Sequence, residues 1–385
     1  MQSTSSRQST FKRNAHVAYF RRCLQAMPSK ATEGDGNRMT LGYFCVGGLD
    51  LLGYFEDVLE GGEDEAKRKT RDSWIEWVWE MQDPNGGFRG SSYMNTDKAG
   101  PSTSAATPSN PAHLPSTYTA ILILGILRAD LSRLNRRGLW EFVNSCQEPD
   151  GSYATLPLSA TPHRPKPSFE SDARMVYCAS VIRDWIRFSG LELSEQERRA
   201  DEVAVEKTRK WIAACQTWEG GFGGRPGLEA QGGTTYCCVT AASLLGSTSF
   251  DSESASRWLS QRQVSDGEGG FQGRPGKDED VCYSFWCGAA MRVLTGQSMF
   301  DVSANSQALL GAQSPIGGFG KAAGEFPDPF HSYLALAALA MNEETLINES
   351  ESGSGSMILD LQPLDPVWNV TRNTRAYLES ALARL

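Results

Sequence analysis

The chain has 385 residues, with 37 Lys and Arg against 46 Asp and Glu, a formal net charge of −9. That length fits one large domain or two ordinary ones, and an apolar share of 40% is enough to build a core. The acidic balance argues against a general nucleic-acid binder, and no stretch reaches the roughly 18 apolar residues of a membrane span.

In chain order, residues 1–13 (MQSTSSRQSTFKR) predict a disordered tail, with a transit peptide as the alternative, since they lack acid and an apolar centre. Two kinds of helix then alternate. Amphipathic helices are predicted near 14–26, 70–82, 130–146, 203–216, 253–263 and 302–312, with apolar pairs such as Trp77/Val78 and Trp211/Ile212 in their last turns. The last five run into one shared element, Gln82-Asp-Pro-Asn-Gly-Gly-Phe88 and its counterparts from Gln147 to Tyr153, Gln216 to Phe222, Gln263 to Phe271 and Gln313 to Phe319. Gln, a short turn, small residues and a ring recur each time, as expected of a helix stopped by a glycine turn. The element is read as purely structural.

After each turn comes a run that is apolar nearly all round, with one tyrosine near its start: Tyr118, Tyr177, Tyr236, Tyr283 or Tyr333. Another such run, 39–52, precedes the first turn. Helices this apolar leave no face for water, so six inner helices closed inside six outer ones suit them better than a linear solenoid with caps. The predicted fold is all-α, an α/α toroid, as a single domain over 14–385. Phe222, Phe271 and Phe319 are 49 and 48 residues apart, and longer early spacings reflect Ser/Thr/Pro-rich insertions near 95–116 and 155–168. A further loop is expected near 347–358 and a closing helix over 372–385. Nine cysteines, an odd number set mostly in apolar runs, point to reduced thiols and a cytoplasmic setting.

Equivalent positions of a toroid gather at one end, so residues just before the inner-helix tyrosines share a mouth. Asp280, Cys282 and His331 fall there. A carboxylate, a thiolate and an imidazole make a three-ligand zinc set with an open fourth position. Singly, each has a plainer reading: Asp280 as a helix N-cap, Cys282 as a small core residue, His331 as a hydrogen-bonded imidazole. Arg174, Arg274, Lys277 and Lys321 bring positive charge to the same mouth, to which inner-helix dipoles add. In an acidic chain that cluster suggests an anionic ligand such as a diphosphate; the alternative is a solvated surface cluster.

At these residues the sequence resembles the β subunits of protein prenyltransferases, most closely those of geranylgeranyltransferase type I. The similarity runs from about His16 to Asn342 and is most specific at GFRGSSY (87–93), ARMVYCAS (173–180), GRPGKDEDVCYSFW (273–286), and GGFGK with FHSY (317–333). The resemblance implies an α-α toroid that binds Zn²⁺ and pairs with a helical-repeat α subunit. It also implies transfer of an isoprenoid to the cysteine of a C-terminal CaaX sequence. The family's zinc ligands then fall on Asp280, Cys282 and His331, and its diphosphate contacts on Arg274, Lys277 and Tyr283. Where the family usually has His before the Gly-Gly ahead of Tyr236, this chain has Gln231, which is counted with the diphosphate-binding residues and donates a hydrogen bond but carries no charge.

Two positions bear on the type. Farnesyl-transferring relatives place a Mg²⁺-associated Asp ten residues before the zinc histidine, whereas this chain has Lys321, matching the geranylgeranyl type I enzymes and implying no Mg²⁺ requirement. Where farnesyl enzymes carry a Trp in the isoprenoid pocket, this chain has Thr40, which leaves space for a fourth isoprene unit. Phe44, His113 and Phe330 match the peptide pocket, Arg174 is assigned to the same isoprenoid and peptide pocket, and Trp286 belongs to the aromatic wall.

The expected activity is transfer of a C20 group from geranylgeranyl diphosphate to CaaX proteins such as Rho-like small GTPases, in an obligate heterodimer with an α subunit. Arg274, Lys277, Tyr283 and Lys321 are assigned to the leaving diphosphate. The rivals are a farnesyltransferase or Rab-type geranylgeranyltransferase β subunit, a terpene cyclase, and a non-catalytic toroid that only binds. The Asp278-Glu279-Asp280 run leads into Cys282 rather than forming a cyclase acid motif. Asn348-Glu-Ser350 and Asn369-Val-Thr371 are read as chance glycosylation matches.

Overall fold

Fourteen helices are present among the described residues of the computed structural model, which are 10–26, 34–59, 62, 64–92, 111–158, 170–247, 249–264, 269–350 and 358–385. In order they are α1 (Arg13–Gln25), α2 (Arg38–Leu51), α3 (Glu56–Leu59), α4 (Glu65–Glu80), α5 (Leu114–Ile126), α6 (Arg136–Ser145), α7 (Ala173–Phe188) and α8 (Glu195–Cys215). There follow α9 (Gly232–Leu244), α10 (Ser252–Ser260), α11 (Val281–Thr295), α12 (Val302–Gly311), α13 (Pro329–Ser350) and, after the short antiparallel pair β1 (Leu364–Asp365) and β2 (Val370–Thr371), α14 (Arg372–Leu382). Helix α8 starts earlier than its apolar pattern indicates, because Ser194 and Glu197 form a capping box ahead of it. The interiors of the three predicted insertions, and residues 1–9 of the predicted tail, lie outside the described residues.

Helices α2, α5, α7, α9, α11 and α13 pack in that order, and α13 returns to α2, closing the ring. Each is backed from outside by the helix before it in the alternation: α1, α4, α6, α8, α10 or α12. The inner layer is as dry as its composition requires; every residue of α5 from Ser116 to Ile126 is buried. No helix among the described residues is long and apolar enough to cross a membrane.

The repeated Gln element is an antiparallel bridge between the Gln and its aromatic partner, as in Gln82 with Phe88 and Gln313 with Phe319. The structure also shows why the residue is Gln. Gln263 accepts from the Asp301 amide at 2.9 Å and donates to the Asp301 carbonyl at 2.8 Å, and Gln216 does the same with Asp251. Asp251 and Asp301 are the N-caps of α10 and α12, so one neutral amide clasps each turn to the start of the next outer helix, with a donor and an acceptor that a carboxylate could not both supply. Gln147 instead reaches Thr208 and the Ala204 carbonyl inside the longer α8. The glycines let the turn lie against that neighbour: at Gly317, φ +88°, a Cβ would stand 2.0 Å from the Ala15 carbonyl oxygen.

Equivalent inner-helix rings meet side by side: Tyr118 with Tyr177 at 5.4 Å, Tyr177 with Tyr236 at 5.3 Å, and Tyr43 with Tyr333 at 5.2 Å. The inner helices are therefore parallel, with their N-termini at one mouth. The other end is filled by the C-terminal segment. Its β1–β2 turn offers consecutive carbonyls to the ring of hydroxyls: Tyr236 donates to Pro366 at 2.8 Å, Tyr177 to Val367 at 3.0 Å, Tyr118 to Trp368 at 2.9 Å, and Tyr333 and Tyr43 to Asn369. Tyr283 does not belong to this ring, contrary to the sequence reading. Phe285, 49 residues after Tyr236 and 48 before Tyr333, takes the position, so Tyr283 lies two residues out of register. Its side chain has other work.

Candidate active site

The mouth holds the metal-competent residues together. One ligand atom each of Asp280, Cys282 and His331 lies within 4.8 Å of the others. Asp280 is the N-cap of α11, its Oδ1 accepting from the Cys282 amide at 3.0 Å, and the same oxygen is 3.4 Å from His331 Nε2. The cap reading of Asp280 thus holds, and it leaves the carboxylate within reach of Cys282 and His331. His331 sits at the start of α13 and is oriented by Asp328, which accepts from its backbone amide at 3.0 Å and bonds Nδ1 at 2.5 Å. That bond keeps a proton on Nδ1 and turns Nε2 toward Asp280 and Cys282.

The three groups set one another's protonation. Burial first, and then the Asp280 carboxylate, push the Cys282 thiol well up. Burial works to lower His331, yet its bonds to Asp280 and Asp328 outweigh it and hold the imidazole up at about 9. Asp280 stays below its ordinary value despite burial because His331 and Cys282 hydrogen-bond to it. A thiolate, an imidazole and a carboxylate at this separation suit a borderline-soft ion such as zinc, and the Asp328 bond supplies the outer partner that such sites use.

Lys321 is tied into the same corner through its backbone, whose carbonyl accepts from the Val281 amide at 3.0 Å. Lys277 and Lys321 are exposed and have no carboxylate partner among the described residues. Two of the expected cations are already engaged: Arg274 pairs with Glu229, and Arg174 with Asp172 at 2.7 Å. Tyr283 is half-buried; its hydroxyl, raised to about 12 chiefly by burial, accepts from Gln231 Nε2 at 2.7 Å.

An aromatic wall begins beside the cluster. The Phe330 ring meets His331 at 5.0 Å, Phe44 at 5.4 Å and Trp286 at 6.3 Å, and Trp286 continues to Tyr236 at 5.1 Å. Thr40 stands one turn before Phe44 on α2. His113 is the N-cap residue of α5, with Nδ1 3.3 Å from the Ser116 hydroxyl. Sequence reasoning missed Asp328 and Glu229. Asp328 was open to discovery, since it lies 48 residues after Asp280, one repeat on; Glu229 carries no such signal.

The profile of the prenyltransferase alpha-alpha toroid domain family matches residues 11–370. The chain is 30% identical over 361 residues to the geranylgeranyl transferase type-1 subunit beta of Arabidopsis thaliana, covering 88% of this chain and 87% of that one. It is 29% identical over 257 residues to the protein farnesyltransferase subunit beta of Schizosaccharomyces pombe, covering 66% of this chain and 55% of that one. Its fold matches that of Candida albicans protein geranylgeranyltransferase-I complexed with GGPP with a TM-score of 0.77 at 24% identity, covering 97% of this chain and 99% of that one. With the profile spanning nearly the whole chain and the Arabidopsis relative most of both, this chain belongs to the prenyltransferase alpha-alpha toroid family and is a prenyltransferase resembling the β subunit of geranylgeranyltransferase type I.

Proposed function

We propose that this chain is the catalytic β subunit of a cytoplasmic protein geranylgeranyltransferase type I, working with an α subunit on CaaX-terminated proteins such as Rho-like small GTPases. The observation that carries the reading is the Asp280, Cys282 and His331 cluster at the open mouth of the toroid, with the Lys321 backbone bonded to the first turn of α11. Asp280, Cys282 and His331 would hold zinc, with Asp328 setting the His331 tautomer. Zinc bound there supplies the positive charge that lets a substrate thiol ionise near neutral pH.

The remaining roles belong to the chain's own side chains. As the thiolate forms its C–S bond to C1 of the isoprenoid, the C–O bond to diphosphate breaks and negative charge grows on the leaving group. Lys321, Lys277, Arg274 and the Tyr283 hydroxyl face that charge; a fixed ammonium at Lys321 makes Mg²⁺ unnecessary. Phe44, Trp286 and Phe330 wall off water and hold lipid and peptide, and Thr40 leaves room for the C20 chain.

The test is co-expression with the cognate α subunit, then competition between farnesyl and geranylgeranyl diphosphates on CaaX peptides ending in Leu or Ser, in EDTA-washed enzyme restored with zinc alone. Transfer of geranylgeranyl without Mg²⁺ is expected. A preference for farnesyl, or strict dependence on added Mg²⁺, would overturn the type I assignment. The farnesyltransferase relative makes the first of these the outcome to watch.

A further inference from the structure

Tyr283 sits in a slot lined by two glycines. On one side is Gly232, where a Cβ would come within 3.0 Å of the Tyr283 ring; on the other is Gly273, where a Cβ would stand 2.2 Å from Cζ and 2.6 Å from the hydroxyl. The two glycines are bonded to each other, Gly232 donating its amide to the Gly273 carbonyl at 2.8 Å. The segments they belong to are joined again by the Glu229–Arg274 ion pair. Any side chain at Gly273 would have to displace the ring.

Gln231 completes the slot. It occupies the N-cap position of α9, yet its side chain makes no cap bond and instead crosses to α11, where Nε2 donates to the Tyr283 hydroxyl at 2.7 Å. A hydroxyl that accepts from an amide keeps its own proton for a third group. The ring tyrosines spend theirs on the C-terminal plug, whereas the Tyr283 proton has no acceptor among the described residues.

We infer that Gln231, Gly232 and Gly273 form a clamp that aims the Tyr283 O–H at the leaving diphosphate, so that Gln231 is a positioning residue acting through Tyr283. The inference rests on the reading of this mouth as a diphosphate site. It explains how a neutral Gln serves here: the position orients a donor, a task that needs an N–H and no charge. Preorganising a donor in this way matters most where negative charge develops.

The experiment is a double-mutant cycle on the purified heterodimer, reading the inhibition constant of inorganic diphosphate and the KM and kcat for geranylgeranyl diphosphate. Gln231→Leu and Tyr283→Phe are each expected to weaken diphosphate binding about three- to tenfold, the worth of one neutral hydrogen bond. The double variant should be no weaker than Tyr283→Phe alone. Gly273→Ala is a second route, expected to give the same loss with Tyr283 present and none in a Tyr283→Ala background. Losses from Gln231→Leu and Tyr283→Phe that multiply in full would overturn the clamp while leaving the diphosphate reading intact. Unchanged diphosphate affinity in Tyr283→Phe would overturn the clamp and the assignment of Tyr283 to the leaving group. No measurable diphosphate binding by the unmodified enzyme would overturn the site reading itself.

Discussion

His16 and Gln313, 297 residues apart, are joined side chain to side chain, His16 Nε2 standing 3.0 Å from Gln313 Oε1. Nδ1 of the same ring accepts from the Gly318 amide at 2.9 Å, so the imidazole is neutral with its proton on Nε2. The pair fastens the first outer helix to the last Gln turn. Burial, reinforced by Lys12, holds His16 down at about 4 despite the bond to Gln313, against an ordinary 6.5. A base depressed in the folded state leaves stability whole above its unfolded pKa and drains it as pH falls, because only the unfolded chain takes up the proton. Stability is therefore expected to fall between pH 6.5 and 4, by up to about 3 kcal/mol from this residue. Thermal unfolding across that window, with His16→Gln as the comparison, checks it; the variant should lose part of the slope.

Asp328→Asn removes the carboxylate that orients His331 without removing a ligand. Its zinc affinity, measured by chelator competition, should drop about 10- to 100-fold, whereas Cys282→Ala should lose stoichiometric zinc. Equal metal content in all three proteins at limiting zinc would contradict the ligand set.

Phe285→Tyr would add a sixth hydroxyl to a ring whose plug carbonyls, Pro366 to Asn369, are already taken. A buried hydroxyl left without a partner costs about 1–3 kcal/mol, as does Tyr118→Phe, which orphans the Trp368 carbonyl. Both are expected to lower the midpoint of urea unfolding. A more stable Phe285→Tyr would mean that the plug has acceptors to spare.

Thr40→Trp should shift the ratio of kcat/KM toward farnesyl over geranylgeranyl diphosphate, since the indole takes the space assigned to the fourth isoprene unit. Lys321→Asp should make turnover respond to added Mg²⁺. Each is read by steady-state kinetics on the heterodimer, and an unaltered lipid preference in Thr40→Trp would remove that residue from the pocket.

The helix alternation was legible because Gln-turn-aromatic elements recur in register and the inner runs are apolar all round. Asp280, Cys282 and His331 were legible for the same reason: repeats turn spacing into proximity. Tyr283 misled because a tyrosine two residues early looks like the repeated one, and only the ring at Phe285 reveals the slip. The clasp by Gln216 and Gln263, the Glu229–Arg274 pair and the plug depend on residues distant in sequence, whose meeting is decided by ring closure and by no local pattern.

The plug sets a timetable. Tyr43 is made early and its acceptor at Asn369 more than three hundred residues later, and the other ring hydroxyls wait on the same four-residue turn. A ribosome still short of that turn carries five inner tyrosines that can bond one another but lack their backbone acceptors, and a toroid with no bottom. The final closure therefore waits until the chain has been made past Asn369, and until then its apolar inner helices depend on whatever shields them during synthesis.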